Sequence, residues 1–251
     1  MSIRWEAEKY ASDFNFVPQY GRDLIKLIEA PKGSRVLDLG CGHGTLTNAL
    51  AEAGFCVSGL DASAELIALA RKNYPTLQFE EGDATHFSVS ESVDVVFSNA
   101  VFHWIDRAKQ PLLAQCIADA LLPGGELVCE FGGLGNDRLI FSALEDVFAH
   151  HCLKFTQPFY FPSIAEHASV LEHHGLRVRF AVLFDRLTEL KGRDGMTDWI
   201  RMFVKQPFSG IDKGLETEIV RETVEKLNPV LCRNGVWYAD YVRIRLRAVK
   251  L

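Results

Sequence analysis

No apolar run in the chain approaches the length of a membrane span, and the N-terminal stretch MSIRWEAEKY lacks the apolar centre of a secretion signal. A soluble, cytoplasmic protein is therefore expected. Paired cysteine motifs are also missing: Cys41, Cys56, Cys116, Cys129, Cys152 and Cys232 never fall into C-x-x-C spacing. Scattered thiols inside apolar segments favour buried, reduced cysteines over disulfides or a zinc site. Positive charge is in deficit, with 27 Lys and Arg against 33 Asp and Glu, for a formal net charge of -6. Such a field opposes polyanions, so neither nucleic acid nor a membrane is expected as a partner. Repeats, low-complexity tracts and a domain linker are absent too, which favours one domain over residues 1–251.

What remains is the pattern of an α/β domain. Helical spacing in PQYGRDLIKLIE leads to the aliphatic strand RVLDL, a glycine turn, and a helix over TLTNALAEAG that stops at Gly54. The plan repeats with strand FCVSGLD ending at Asp61, helix SAELIALARKN capped by Ser63, and strand TLQFEEGD ending at Asp83. SVDVVFSNA is a fourth strand, continuous in its apolar centre as a strand covered on both faces should be. Helix PLLAQCIADALL, closed by Pro123 to Gly125, precedes the fifth strand, ELVCEFG. Five strands alternating with helices imply a doubly wound, mostly parallel, Rossmann-like sheet. Helices over DRLIFSALEDVFAHHCL and SIAEHASVLEHHG then break the rhythm. Two long strands follow, LRVRFAVLFDRL and WYADYVRIRLRAVK, with helical segments between them. A sheet of seven strands is expected, its last strand antiparallel, with a helical cap over residues 192–234 between the last two.

The turn VLDLGCGHG places glycine at 40, 42 and 44 directly after the first strand. Glycines there let the main chain approach a ligand, and the helix starting near Thr45 offers amide hydrogens to a negative group. A tight strand-to-helix turn alone is the competing explanation. Asp61 and Asp83, at the ends of the second and third strands, favour a ligand: a carboxylate at the first can take both ribose hydroxyls, and the second lies where a base would sit. A nicotinamide site would read G-x-G-x-x-G, but Thr45 stands where its third glycine belongs.

The ordered segments VLDLGCGHGTLT, GLDAS, EGDA, FSNAVFHWI and LLPGGELV resemble the successive motifs of the class I methyltransferases that use S-adenosylmethionine, over residues 33 to 130. YASDFNFV, FGGLGN, WIRMF and WYADYVRIRLRA make the chain similar to the trans-aconitate methyltransferase group across nearly its whole length. The resemblance implies S-adenosylmethionine as cofactor, S-adenosylhomocysteine as product, no metal, and a small-molecule acceptor. It also implies donor contacts at Gly40, Cys41, Gly42, Gly44, Asp61, Ala62, Asp83, Ala84 and Asn99, with the buried acid Asp38 beneath the turn.

The acceptor stays open between a carboxylate and a phenol, amine or carbon nucleophile, and a module that binds the donor without transferring its methyl is a further alternative. A carboxylate attacks unaided, whereas an alcohol or ammonium needs a base. His103 is placed for that task or for packing. Phe16, Tyr20, Trp104, Trp199, Arg201 and Phe203 are candidate acceptor contacts, with ordinary packing as the alternative for the aromatic ones. Arg243, Arg245 and Arg247 alternate along the last strand and read as a solvated face. His150 with His151, and His173 with His174, read as surface without matching ligands.

Overall fold

The computed structural model describes residues 16–251, with side chains from Gly21 onward. Its elements are α1 (Phe16–Ile25), β1 (Arg35–Leu39), α2 (Thr45–Glu52), β2 (Cys56–Asp61), α3 (Ala64–Asn73), β3 (Gln78–Glu81), β4 (Val93–Asn99), α4 (Gln110–Ala120) and β5 (Leu121–Gly132). After them come α5 (Arg138–His150), α6 (Ile164–His173), β6 (Leu176–Leu190), α7 (Gly195–Phe203), α8 (Lys213–Leu231), β7 (Cys232–Arg233) and β8 (Val236–Lys250). The sheet runs β3-β2-β1-β4-β5-β8-β6, and the two-residue β7 pairs antiparallel with β8, which adds an eighth strand to the seven expected. β1 to β5 pair in parallel, and the last strand runs antiparallel.

Strand order reverses between β1 and β4, so the crevice beyond their carboxyl ends is where such a sheet receives a ligand. Side-chain alternation fills both faces of these strands. Val36, Val95, Phe97 and Val128 join Leu24 and Leu50 on one face, while Leu37, Leu39, Val96 and Leu127 join Leu113, Ile117 and Phe131 on the other. The Pro123–Gly125 turn, expected to precede the fifth strand, lies inside β5. Pairing starts at Leu121 with Val93 and resumes at Glu126 with Val95, so the turn is an irregularity in the ladder.

The chain forms two compact units. The first takes the described residues up to Phe131 with Pro162–Leu183 and Ile244–Leu251; the second takes Gly132–Phe161 and Phe184–Arg243. The segment 192–234 falls inside the second unit. That unit is filled by aromatic rings, with Phe141 against Phe161 and Trp199, Phe148 against Phe155 and Phe208, and Trp199 against Phe203.

In the first unit His167 on α6 is buried between Phe102 and Phe131, and among the described residues neither of its ring nitrogens has a hydrogen-bond partner. Burial lowers its pKa to about 4. Between its ordinary value near 6.5 and that value, the unfolded chain takes up a proton that the fold refuses. Stability from this group is therefore complete above pH 6.5 and is lost as pH falls toward 4. His167→Leu is expected to gain stability over wild type at pH 4.5 by about 2 kcal/mol more than at pH 7.5, measured by denaturant unfolding. An equal difference at both pH values would show that the imidazole is not held neutral.

Candidate functional site: the glycine turn and the strand ends around it

All three turn glycines have positive φ, 78° at Gly40, 55° at Gly42 and 86° at Gly44, the left-handed region that side chains avoid. Their surroundings differ. A Cβ on Gly40 would lie 2.2 Å from Val101 Cγ2, and one on Gly44 would lie 2.8 Å from the Phe79 ring, whereas one on Gly42 would meet nothing within 4 Å. Gly40 and Gly44 therefore let the chain pack, and of the three Gly42 alone borders space open among the described residues. Gly40 and Cys41 donate to Leu60 O, Gly42 to Asp61 Oδ2 at 2.9 Å, and Gly44 to Cys41 O. These four amides are committed inside the protein.

Asp61 closes this arrangement. Its Oδ2 accepts from Gly42 N and its Oδ1 from Ser63 N at 2.8 Å, which pins the turn after β1 to the start of α3. Each carboxylate oxygen keeps further acceptor capacity, enough for a pair of hydroxyls. Burial raises the Asp61 pKa, and the bonds from Ser63 and Gly42 oppose that rise. Ala62 is exposed between Asp61 and Ser63. Asp38 is buried beneath the turn and accepts from Thr47 Oγ1 at 2.7 Å, so β1 is tied to α2. Burial pushes its carboxyl up to about 7, against the Thr47 bond and with the Asp61 charge adding to the rise. Burial likewise holds the Cys41 thiol above its ordinary range. Thr47 is a partner that sequence reading missed, though it stands on the buried face of α2, nine residues on.

At the third strand end, Asp83 Oδ1 accepts from both Thr85 N and Thr85 Oγ1 at 2.8 Å, forming a local turn. The Thr85 amide bond holds its carboxyl below the ordinary range, and Ala84 is half-buried beside it. At the fourth, Ser98 Oγ donates to Leu39 O, Asn99 is half-buried, and Ala100 adopts φ 62°, a strained value for a side-chain-bearing residue. His103 follows in the short turn Phe102–Trp104, where it is 8% exposed with its ring 5.7 Å from that of Trp104. Gln110 braces this turn by donating to Phe102 O and Ile105 O, another contribution that sequence reading missed.

Outside these strand ends, several expectations change. Trp199 is 1% exposed and donates Nε1 to Tyr241 Oη at 2.7 Å, so it packs the second unit's interior, while Phe203 is half-buried and Arg201 exposed. The side chains of Phe16 and Tyr20 lie outside the described residues. The arginines of β8 do not form a solvated face. Arg245 donates to the buried Glu130 at 2.7 Å, and Arg247 pairs with Glu126 at 3.2 Å and with Glu29. Arg243 is 8% exposed and stacks on the Tyr241 ring at 4.2 Å, and among the described residues its guanidinium makes no ion pair or hydrogen bond. His150 and His151 do have a matching carboxylate, Glu222 of α8. His173 and His174 bond to carbonyls four residues back, at Ser169 and Val170.

Residues 36–125 match the family described as a methyltransferase domain. An uncharacterized methyltransferase, C70.08c of Schizosaccharomyces pombe, is 32% identical over 98% of both chains. Trans-aconitate 2-methyltransferases of Rhodopseudomonas palustris and Rhizobium leguminosarum are 34% and 33% identical, but the match spans about half the length of this chain and of each enzyme. The likeness to that group, expected nearly throughout, spans half the chain in these two enzymes. Among solved structures, the YcgJ protein of Bacillus subtilis superposes with a TM-score of 0.62 at 17% identity, covering 92% of this chain and 98% of that one. A TehB-like methyltransferase of Corynebacterium glutamicum gives 0.56 at 19% identity, covering 98% of both. These two share the fold. With a full-length relative above 30% identity and the donor motifs in order, the chain belongs to the class I methyltransferases that use S-adenosylmethionine.

Proposed function

We propose that this methyltransferase acts on a carboxylate of a small organic acid in the cytoplasm. S-adenosylmethionine supplies a methyl group already activated on a sulfonium, so the protein has to bind, align and exclude water. Asp61 would hold the ribose hydroxyls, with Ala62 at its side, and Asp83 and the Ala84 amide would hold the adenine. The open face at Gly42, together with Asn99, would border the methionine portion, over the base formed by Asp38, Gly40, Cys41 and Gly44. Trp104 would border the acceptor in the first unit, and Arg201 and Phe203 are acceptor-contact candidates to be tested by substitution.

The observation that carries the acceptor class is the contrast along β8. Arg245 and Arg247 are neutralised by buried glutamates, whereas Arg243, among the described residues, stacks on the Tyr241 ring and lies near Asp137 without forming an ion pair. Burial and the Asp240 charge raise the carboxyl of neighbouring Asp137 well above its ordinary value, against the pull of Arg243, which favours its neutral form. A nearly buried guanidinium whose neighbouring carboxyl is held toward its neutral form is suited to receive a carboxylate from a ligand. The trans-aconitate relatives support the same class. The six free thiols support a reducing compartment, and among the described residues no helix is long and apolar enough to cross a membrane.

An ionised acceptor needs no base, which leaves His103 as a polar wall. A screen with isotope-labelled methyl donor against small carboxylic acids, phenols and amines tests the assignment. Carboxylates should be methylated, and His103→Gln should keep the turnover and pH profile of wild type from pH 6 to 8. Turnover of phenols or amines alone, with a pH limb abolished in His103→Gln, would replace carboxylate transfer by base-assisted transfer. Donor binding without any turnover would favour the non-catalytic module.

A further inference from the structure

We propose that His150, His151 and Glu222 bind a divalent transition-metal ion of the zinc type on the second unit, apart from the methyl-transfer residues. Neighbouring side chains on a continuing helix diverge by about 100°. Here α5 stops at His150, and His151 takes the non-helical C-cap position with φ -86° and ψ 15°. Both rings therefore turn toward α8, edge to face, with centroids 5.1 Å apart. His150 Nδ1 lies 3.3 Å and His151 Nε2 lies 3.2 Å from one atom, Glu222 Oε2.

Tetrahedral zinc with ligands at about 2.0–2.1 Å sets neighbouring donor atoms about 3.3 Å apart. The two imidazole-to-carboxylate separations already have that value, and the three donor atoms lie within 4.8 Å of one another. The other carboxylate oxygen, Oε1, faces Arg221 at 3.7 Å, which leaves Oε2 to the histidines. One turn along, Lys226 of α8 pairs with Asp146 of α5 at 2.5 Å, so the two helices are held in register independently of any ion. His150 is 74% exposed while His151 and Glu222 are largely covered, which leaves one side open for water as a fourth ligand. Two nitrogens and one oxygen suit zinc, nickel or copper better than magnesium or calcium.

The full chain, stripped of metal by chelator and dialysed, is titrated with Zn2+ by calorimetry and with Co2+ by visible absorption. One equivalent of Zn2+ is expected to bind and to raise the melting temperature by several degrees, and Co2+ should develop the intense visible bands of a four-coordinate ion. Glu222→Gln and His151→Gln should each weaken Zn2+ binding by about 100-fold and leave S-adenosylmethionine affinity unchanged, which reports an intact fold. Absence of a one-equivalent site, or Zn2+ affinity unaltered in both variants, would overturn the proposal; the second result would move the ion to the free thiols.

Discussion

Asp61→Ala should weaken S-adenosylmethionine binding by at least about 100-fold, because a carboxylate that accepts two hydroxyls contributes about 1.5–3 kcal/mol for each charge-assisted bond. Fold stability should also fall. The side chain is the acceptor for Gly42 N and Ser63 N, so truncation strands two main-chain donors at the junction of β1, α2 and α3. Each lost acceptor costs about 1–3 kcal/mol where water cannot replace it, although Asp61 is only partly buried and the lower figure applies. Asp61→Asn separates the two effects, since its single side-chain oxygen still serves one amide while the charge offered to the ribose is gone. Calorimetry with S-adenosylmethionine and S-adenosylhomocysteine, beside thermal unfolding of both variants, reads them independently. Undiminished donor affinity in Asp61→Ala would remove this residue from the donor site and reduce it to a brace for the turn.

The parts of this site legible in sequence are those whose signal is local. RVLDL followed by glycines at 40, 42 and 44, and acids at the ends of the next two strands, specify strand, turn and carboxylate position within a few residues. Different glycine roles were not legible, because they depend on Val101, from the loop after β4, and on the Phe79 ring of β3. The arginines of β8 were misread for a related reason. Alternating polar residues usually face water, but β8 lies between β5 and β6 and none of its residues is exposed. Glu126 and Glu130, which neutralise Arg247 and Arg245, stand more than a hundred positions earlier in the chain. Glu222 is likewise 71 residues from His151, and only the antiparallel return of α8 along α5 brings them together. Trp199 followed its amphipathic spacing into the core, since helical periodicity reports a buried face without saying whether a ligand or the protein covers it.

Arg243→Met is expected to lower kcat/KM for a carboxylate acceptor by about 100-fold or more, chiefly through KM, with S-adenosylmethionine affinity unchanged. A bidentate guanidinium–carboxylate contact comprises two charge-assisted bonds of about 1.5–3 kcal/mol each, and methionine keeps much of the stem's packing without the fork. Arg243→Lys retains charge but loses the planar pair of donors and the stacking on Tyr241, so its loss should be intermediate. The comparison that decides is Arg245→Met. That change removes the Arg245 ion pair from Glu130, which is only 2% exposed, and breaking one side of a buried pair costs up to about 3–5 kcal/mol of stability. Its signature is a lowered melting temperature with a largely unaltered KM. Arg243 loses no hydrogen bond within the protein when replaced, so its melting temperature should stay within a few degrees of wild type. If Arg243→Met instead unfolds early and binds acceptor normally, its guanidinium balances Asp137 and the carboxylate must be met elsewhere, with exposed Arg201 next to be tested.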